Sequence, residues 1–365
     1  MAGNGAIDII IVNFRCHEET LGAVASVSPW GHGRIWVVDN SEDGEEAARL
    51  AQALKKHPEA QLLVAERNLG FGQGCNLAYG RSSAEHVLLL NPDARIAVPD
   101  VELLARSMGE NPEWGALSPN TYWDAERRFL LPPPFPMTPA SRLGMVLASR
   151  LPRRMLRAMA LWRLNRLRRR TAGRQPFAVP FLVGAVLLVR RAAVDRAGGL
   201  FDPAFFMFYE DTDLSLRLRR HGYRLGIVPA ATAVHGYRHK AYKLAMMEKS
   251  EKIYYQKHFP AVYRRSGGLA RIDGLARRLD WRALAAMDLG RVGGAEQIAS
   301  RMGDLKVVAL GLPPLLAAVL FRALGEEALV FSSQEWEMLE PGRYLLVAES
   351  PDPAVSPRLL SFEKA

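Results

Sequence analysis

Along the first quarter of the chain, short apolar runs rich in β-branched residues alternate with stretches whose apolar positions recur every three or four residues. The runs Ile7-Asp-Ile-Ile-Ile-Val-Asn-Phe14, Arg34-Ile-Trp-Val-Val-Asp39-Asn40, Gln61-Leu-Leu-Val-Ala65 and His86-Val-Leu-Leu-Leu90 predict strands. The spacing between them predicts helices over Glu18 to Val27, Glu45 to Lys56 and Gly74 to Arg81. Strands that are apolar throughout, each followed by a helix, predict an α/β fold: a mostly parallel sheet with helices on both faces.

The pattern continues with a helix from Asp100 to Met108 and strands at Gly115 to Ser118, Pro180 to Val189, Arg224 to Val228 and Thr232 to His235. A proline-rich loop, Pro132 to Pro136, interrupts it, and a helix from Lys240 to His258 follows it. These elements predict a catalytic unit over residues 1–260 with a basic helical insertion at about 140–175. Residues 261–365 change character, with Gly267-Gly268, Gly293-Gly294 and a strand-like Arg343 to Ala348, and predict a separate C-terminal appendage.

With 365 residues and 49% hydrophobic content, the chain can bury a large core and form more than one domain. Cys16 and Cys75 supply neither a disulfide framework nor metal-ligand spacing, as suits a reducing compartment. The first residues lack the basic and apolar regions of a secretion signal. The nearest approach to a membrane span, Val307 to Leu320, is short and contains Pro313-Pro314. Together these predict a cytoplasmic protein. Eleven arginines and no acid lie between Arg142 and Arg174, so this one segment accounts for the whole net charge of +10. Within it, Arg153 to Arg170 interleaves arginines with Met155, Leu156, Met159, Trp162, Leu164 and Leu167 on a helical period. That composition suits a helix lying on an anionic membrane surface or a solvated cover over the catalytic unit; no nucleic-acid-binding module accompanies it.

The candidate chemistry is acidic. Glu210, Asp211 and Asp213 lie within four positions, directly after the aromatic, apolar run Phe206 to Tyr209. Such crowding raises the cost of ionising all three, although three acids also suit the first turn of a helix. A second acidic site, Asn91-Pro92-Asp93, ends an apolar run, where ligands bind in open α/β sheets. Mg2+ or Mn2+ needs only one or two protein carboxylates besides substrate phosphates and water, so Asp93 is an adequate ligand, and His235 could add a nitrogen or serve as a hydrogen-bonded core histidine. Asp39-Asn40-Ser41 ends the second strand and fits either a nucleoside contact or an Asx turn. The run Asn68-Leu-Gly70-Phe-Gly72-Gln-Gly74-Cys-Asn76 places three alternate glycines before a predicted helix, where backbone could approach a phosphate or sugar. Neither the dinucleotide fingerprint nor a Walker lysine motif occurs.

Taken in order, the motifs around Asn13, Asp39-Asn40-Ser41, Asn68 to Asn76, Asn91-Pro-Asp93, Gly184-Ala185 and Glu210-Asp211-Thr-Asp-Leu-Ser-Leu-Arg217 resemble the inverting family 2 glycosyltransferases, especially their rhamnosyltransferase-like branch. The resemblance covers about residues 5–260 and implies a GT-A fold, a nucleotide-diphosphate sugar donor, dTDP- or UDP-linked, and Mg2+ or Mn2+. It implies Asp211 as catalytic base with Glu210 beside it. On the donor side it implies Asn13, Asp39, Asn40, Asn68, Gly70, Asn76 and Asn91, with Asp39 on the base. Asp93 and His235 would serve the metal, and Gly184 and Arg217 the acceptor. Pro180-Phe181 stand where the branch commonly carries an Asp-Trp pair, which points to a less polar acceptor pocket. The implied activity is transfer of rhamnose or a related hexose to a glycan or polyprenyl-linked acceptor in surface polysaccharide synthesis, by an enzyme at the inner face of the cell membrane. A sugar-nucleotide-binding scaffold without turnover is the competing class.

Overall fold

The computed structural model describes residues 6–133, 138–148, 151–236, 242–264, 285, 287–312, 317–321, 332–350, 352 and 354–365. Pro134 to Pro136, Lys240 and Gly267-Gly268 of the sequence reading lie outside them.

In chain order the elements are β1 (Ile7–Asn13), α1 (His17–Ser26), β2 (Ile35–Asp39), α2 (Gly44–Leu54), β3 (Ala60–Val64), α3 (Gly70–Tyr79), β4 (His86–Leu90), β5 (Ala94–Ile96), α4 (Val98–Glu110), β6 (Trp114–Tyr122), α5 (Pro139–Ala148) and α6 (Arg153–Thr171). There follow β7 (Phe177–Ala178), β8 (Val186–Arg190), α7 (Arg191–Arg196), α8 (Glu210–Arg220), β9 (Arg224–His235), α9 (Tyr242–His258), α10 (Pro260–Arg264), β10 (Met287–Val292), α11 (Ala295–Met302), β11 (Lys306–Leu312), β12 (Ala317–Phe321), α12 (Ser333–Met338), β13 (Gly342–Glu349) and β14 (Arg358–Lys364).

The chain divides into two compact units. The first comprises residues 1–122, 174–237 and 244–254; the second comprises 123–173, 238–243 and 255–365. The basic segment expected at about 140–175 therefore groups with the C-terminal residues, not with the sheet whose sequence it interrupts.

The first unit is built on a sheet of order β3-β2-β1-β4-β8-β6-β9-β5, with β7 paired to β9. All seven residues of β1 are buried, because both faces of this central strand are covered. Ile7, Ile9 and Ile11 join one core with residues of α1, α2 and α4, while Ile10 and Val12 join another with residues of α3, α7 and α8. The period-two alternation of a strand thus feeds two cores from one apolar run. β1, β2, β3 and β4 pair in parallel. β8 runs antiparallel to both β4 and β6, and β6 runs parallel to β9. Asn13, Asp39, Leu90 and His235 therefore all lie at one end of the sheet, where the parallel strands finish.

Two predicted elements differ from the observed ones. The apolar run from Pro180 becomes a strand only at Val186; residues before it form a loop in which Phe181 and Leu182 are buried and Leu182 N–H donates to Ser215 Oγ on α8. Leu182 packs in the same core as Leu214 of α8, so part of the run is apolar for packing outside the sheet rather than for strand pairing. The two late strands are one, β9, whose register against β6 shifts between Pro119 and Asn120.

In the second unit, five strands form a sheet of order β10-β14-β13-β11-β12. Phe362 stacks between Trp336 and Tyr344, with ring centroids 5.8 and 5.3 Å away. Val307 to Leu320, considered above as a span, contributes to β11 and β12. No helix among the described residues is long and apolar enough to cross a membrane.

Candidate active site

At the ends of β1 and β2, a buried network fixes the backbone. Asn13 is fully buried; its amide donates to Asp39 Oδ1 at 2.9 Å, to Ser41 Oγ at 3.1 Å and to Glu46 Oε1 at 3.2 Å. Its Oδ1 accepts from Thr20 Oγ1 at 2.8 Å and from Cys16 N–H at 3.3 Å. Ser41 Oγ donates to Asp39 Oδ1 and accepts from Arg15 N–H, and Arg15 takes a left-handed φ of 54°. Glu46 and His17 complete the network: Glu46 accepts from His17 N–H at 2.9 Å and meets its Nδ1 at 2.7 Å. Burial pushes the Glu46 carboxyl up, but the bonds from Asn13 and His17 outweigh it and hold it below its ordinary value. Asn13 and Asp39 thus brace two strand ends against each other. Glu46 and His17 were not evident from sequence, because the two partners lie 29 positions apart in the chain.

The glycine run behaves differently from its sequence reading. α3 starts at Gly70, so Gly72 and Gly74 lie inside the helix rather than in a loop before it. A Cβ on Gly74 would stand 2.9 Å from a methyl of Val12, and one on Gly70 would stand 2.1 Å from the Phe206 carbonyl oxygen. At Gly70 and Gly74 the absence of a side chain permits close approach to other parts of the protein. Asn40 and Asn68 hold the turn into α3: Asn40 Oδ1 accepts from Leu69 N–H, and its amide donates to Asn68 Oδ1 and the Gly70 carbonyl. Asn76 clasps Phe201, donating to its carbonyl and accepting from its N–H.

Glu210 and Asp211 open α8 after two consecutive left-handed residues, Phe208 at φ 68° and Tyr209 at φ 65°. Each costs on the order of 1–2 kcal/mol and persists only when surroundings over-determine it. Here they do: Tyr209 O–H donates to Glu251, its ring packs on Tyr254, Ser250 Oγ donates to the Met207 carbonyl, and the Phe206 carbonyl accepts from Phe71 N–H. The strained turn delivers the two acids to the end of the sheet. Asp211 Oδ2 accepts from Gly184 N–H at 3.0 Å, and its Oδ1 accepts from Thr212 N–H at 2.6 Å. Burial nevertheless raises the Asp211 carboxyl above its ordinary value. Burial, followed by the charge of Asp211, raises Glu210 much further, and Glu210 Oε2 is buried without a hydrogen-bond partner. Such a pair binds a proton more tightly than ordinary carboxylates do, which suits exchange with a hydroxyl.

The crowding expected of three acids is confined to two of them. Asp213 is fully buried and pairs with Arg217 Nε at 2.7 Å. Arg217 also donates to the carbonyls of Ala197, Gly199 and Leu200, so it clamps α8 to the loop before it. Phe181 is buried as well, so the Pro180-Phe181 departure presents no aromatic ring to a substrate.

The second acidic site lies at the same end of the sheet. Asn91 N–H donates to the Ala185 carbonyl at 2.8 Å, and the neighbouring Gly184 holds Asp211. Asp93 Oδ1 stands 3.2 Å from His235 Nε2, where β5 begins beside the end of β9. Asn91 Oδ1 is buried without a hydrogen-bond partner. Two oxygen donors and an imidazole suit Mg2+ or Mn2+. A third acidic group, Asp124, Glu126 and Glu335, lies in the second unit with Arg128 paired to all three, which makes it an ion-pair cluster.

The family model described as glycosyltransferase-like family 2 matches residues 6–254. The chain is similar to an N-acetylglucosaminyl-diphospho-decaprenol L-rhamnosyltransferase of Mycobacterium tuberculosis, 30% identical over 240 residues that cover 62% of this chain and 73% of the relative. It is also similar to a low-salt glycan biosynthesis hexosyltransferase of Haloferax volcanii, 25% identical over 233 residues, covering 63% of this chain and 66% of the relative. A solved mannosyltransferase of Pyrobaculum calidifontis, in complex with GDP-Man and Mn2+, superposes with a TM-score of 0.45 at 17% identity, over 67% of this chain and 60% of that one.

Proposed function

The chain belongs to glycosyltransferase-like family 2, and from that premise we propose that it moves rhamnose or a related hexose, with inversion, from a nucleotide-diphosphate donor to a hydroxyl of a glycan or polyprenyl-linked acceptor. The α/β GT-A architecture and glycosyl transfer come with the family; the sugar, the dTDP or UDP carrier, the acceptor and the residue roles are our reading. One observation carries it: the Gly184 N–H bond to Asp211, one residue from the Ala185 bond to Asn91, brings a proton-accepting acid and the Asn91-Pro92-Asp93 turn to one end of the sheet.

In this reading Asp211 removes the proton of the acceptor hydroxyl as its oxygen bonds to the anomeric carbon. The bond from that carbon to the donor diphosphate breaks, and the electron pair leaves with the diphosphate. Attack from the opposite face inverts the centre. Burial fits Asp211 to the task, since a carboxylate raised toward working pH binds the proton it must take. Glu210, buried with an unpartnered oxygen, holds its proton more tightly than Asp211 does, so the negative charge of the pair falls preferentially on Asp211. Asp93, with Asn91 and His235, would hold Mg2+ or Mn2+, which when bound neutralises charge growing on the leaving diphosphate. Asn13, Asp39, Asn40 and Asn68 shape the donor side by fixing the strand ends and the turn into α3. The similarity to a relative named for a diphospho-decaprenol substrate supports a lipid-linked acceptor, and hence work at the inner face of the cell membrane.

The test is release of nucleoside diphosphate from a panel of nucleotide sugars and lipid-linked acceptors, with Mn2+, Mg2+ or chelator. Asp211→Asn should lose activity by roughly 10²-fold or more while its melting temperature stays within a few degrees. Full turnover in that variant would rule out Asp211 as the base.

A further inference from the structure

The arginine-rich helix α6 has two faces that composition alone merged. At 100° per residue, Leu156, Ala160, Leu164, Arg168 and Thr171 share one face, and all five are buried. Arg168 on that face is spent inward, its Nη1 donating to Glu349 at 2.5 Å, and Arg157 donates to the Ala285 carbonyl. Met155, Met159 and Trp162 lie opposite, and they are 51%, 41% and 61% exposed. Arg166 and Arg169 continue the same stripe at the next helical spacings, both exposed, and the Arg166 guanidinium lies 5.4 Å from the Trp162 ring. On α5, Leu143 and Leu147, one turn apart, are 49% and 54% exposed.

We propose that the outward face of α6 docks on the surface of an anionic lipid bilayer, with Met155, Met159 and Trp162 entering the headgroup region and Arg166 and Arg169 lying against lipid phosphates. The stripe has the make-up of an interfacial helix: apolar side chains that can be inserted, a tryptophan suited to a boundary wet on one side, and cations of a single sign. Charge selects the occupant. A second copy of this chain would set arginines against arginines, since residues 142–174 contain no acid. A nucleic acid would engage the arginines and gain little from the two methionines, which form the N-terminal end of the stripe. This docking goes beyond the catalytic reading and does not depend on it, because none of the residues named for the catalytic reading lies on α6.

The test is co-sedimentation of the full chain with vesicles of phosphatidylcholine alone and of phosphatidylcholine mixed with phosphatidylglycerol, over a range of salt. Binding is expected only to the anionic vesicles and is expected to fall as salt rises. An arginine near an anionic surface contributes about fivefold in partitioning, so Arg166→Gln with Arg169→Gln should weaken binding roughly 30-fold. Arg168 is left intact because it holds Glu349. Brominated lipid should quench fluorescence in the wild type, and Trp162→Phe should lose most of that quenching. Both variants should keep the wild-type melting temperature and donor turnover with a water-soluble acceptor, which separates loss of docking from loss of fold or catalysis. Equal binding to neutral and anionic vesicles, no vesicle binding, or retention on RNA without vesicle binding would each overturn the proposal. Should Trp162→Phe fail to fold, the arginine pair alone decides it.

Discussion

Arg217→Met separates a clamp from a substrate contact. In the wild type the guanidinium pairs with Asp213, which is fully buried, and donates to three backbone carbonyls. Methionine fills the space of the stem but takes the guanidinium away from a buried carboxylate, and breaking a buried ion pair costs about 3–5 kcal/mol. Removing both charges, in Asp213→Leu with Arg217→Met, should cost less than Arg217→Met alone, because a buried pair replaced by apolar groups is often near neutral. The three carbonyls still lose their donor, at about 1 kcal/mol each. The double variant should therefore recover part of the loss and leave a deficit of a few kcal/mol. Urea unfolding followed by circular dichroism measures both, with the m-value expected unchanged. A loss below about 1 kcal/mol in the single variant, together with a large rise in acceptor KM, would refute the clamp and support the acceptor-side role.

Gly70→Ala should destabilise by about 2 kcal/mol or more in thermal melts, since its φ is +77° and its Cβ would meet the Phe206 backbone oxygen, whereas Gly72→Ala, with contacts of 3.4 Å or longer, should be close to neutral. Burial raises Glu210, so its contribution is fully present below the ordinary glutamic value and is lost as pH rises through the raised folded value. Melting temperatures of Glu210→Gln should accordingly gain on wild type as pH rises, and the opposite trend would show the carboxylate to be stabilised as an ion. His86 is lowered by burial, so it stabilises above its ordinary value and costs stability as pH falls below it; His86→Leu should flatten the acid limb of a melting-temperature profile. Chelator should abolish diphosphate release, and Asp93→Ala should raise the Mn2+ concentration needed to restore it.

The α/β class was legible in the sequence because a strand buried on both faces must be apolar at nearly every position, and β1, β2 and β4 are. The two acidic motifs were legible because carboxylates at the end of an apolar run or the start of a helix leave a local mark, and the ordered set of motifs also pointed to the family that matches. What each polar side chain holds was not legible, since it depends on partners far away in the chain. Arg217 and Asp211 sit six positions apart on one helix, yet one faces the carbonyls of Ala197 to Leu200 and the other the Gly184 N–H. Of the three alternate glycines between Asn68 and Asn76, Gly70 and Gly74 make close approaches to Phe206 and Val12, which spacing along the chain does not reveal. Periodicity gave α6 one broad amphipathic face, and only tertiary packing split it, burying Leu156 and Leu164 and leaving Met159 and Trp162 outside. Sequence alone determined which segments must be buried, because the hydrophobic effect acts on composition and period. The fold decided which polar atoms meet, because hydrogen bonds are short and directional and are satisfied only by whatever the packed chain brings within reach.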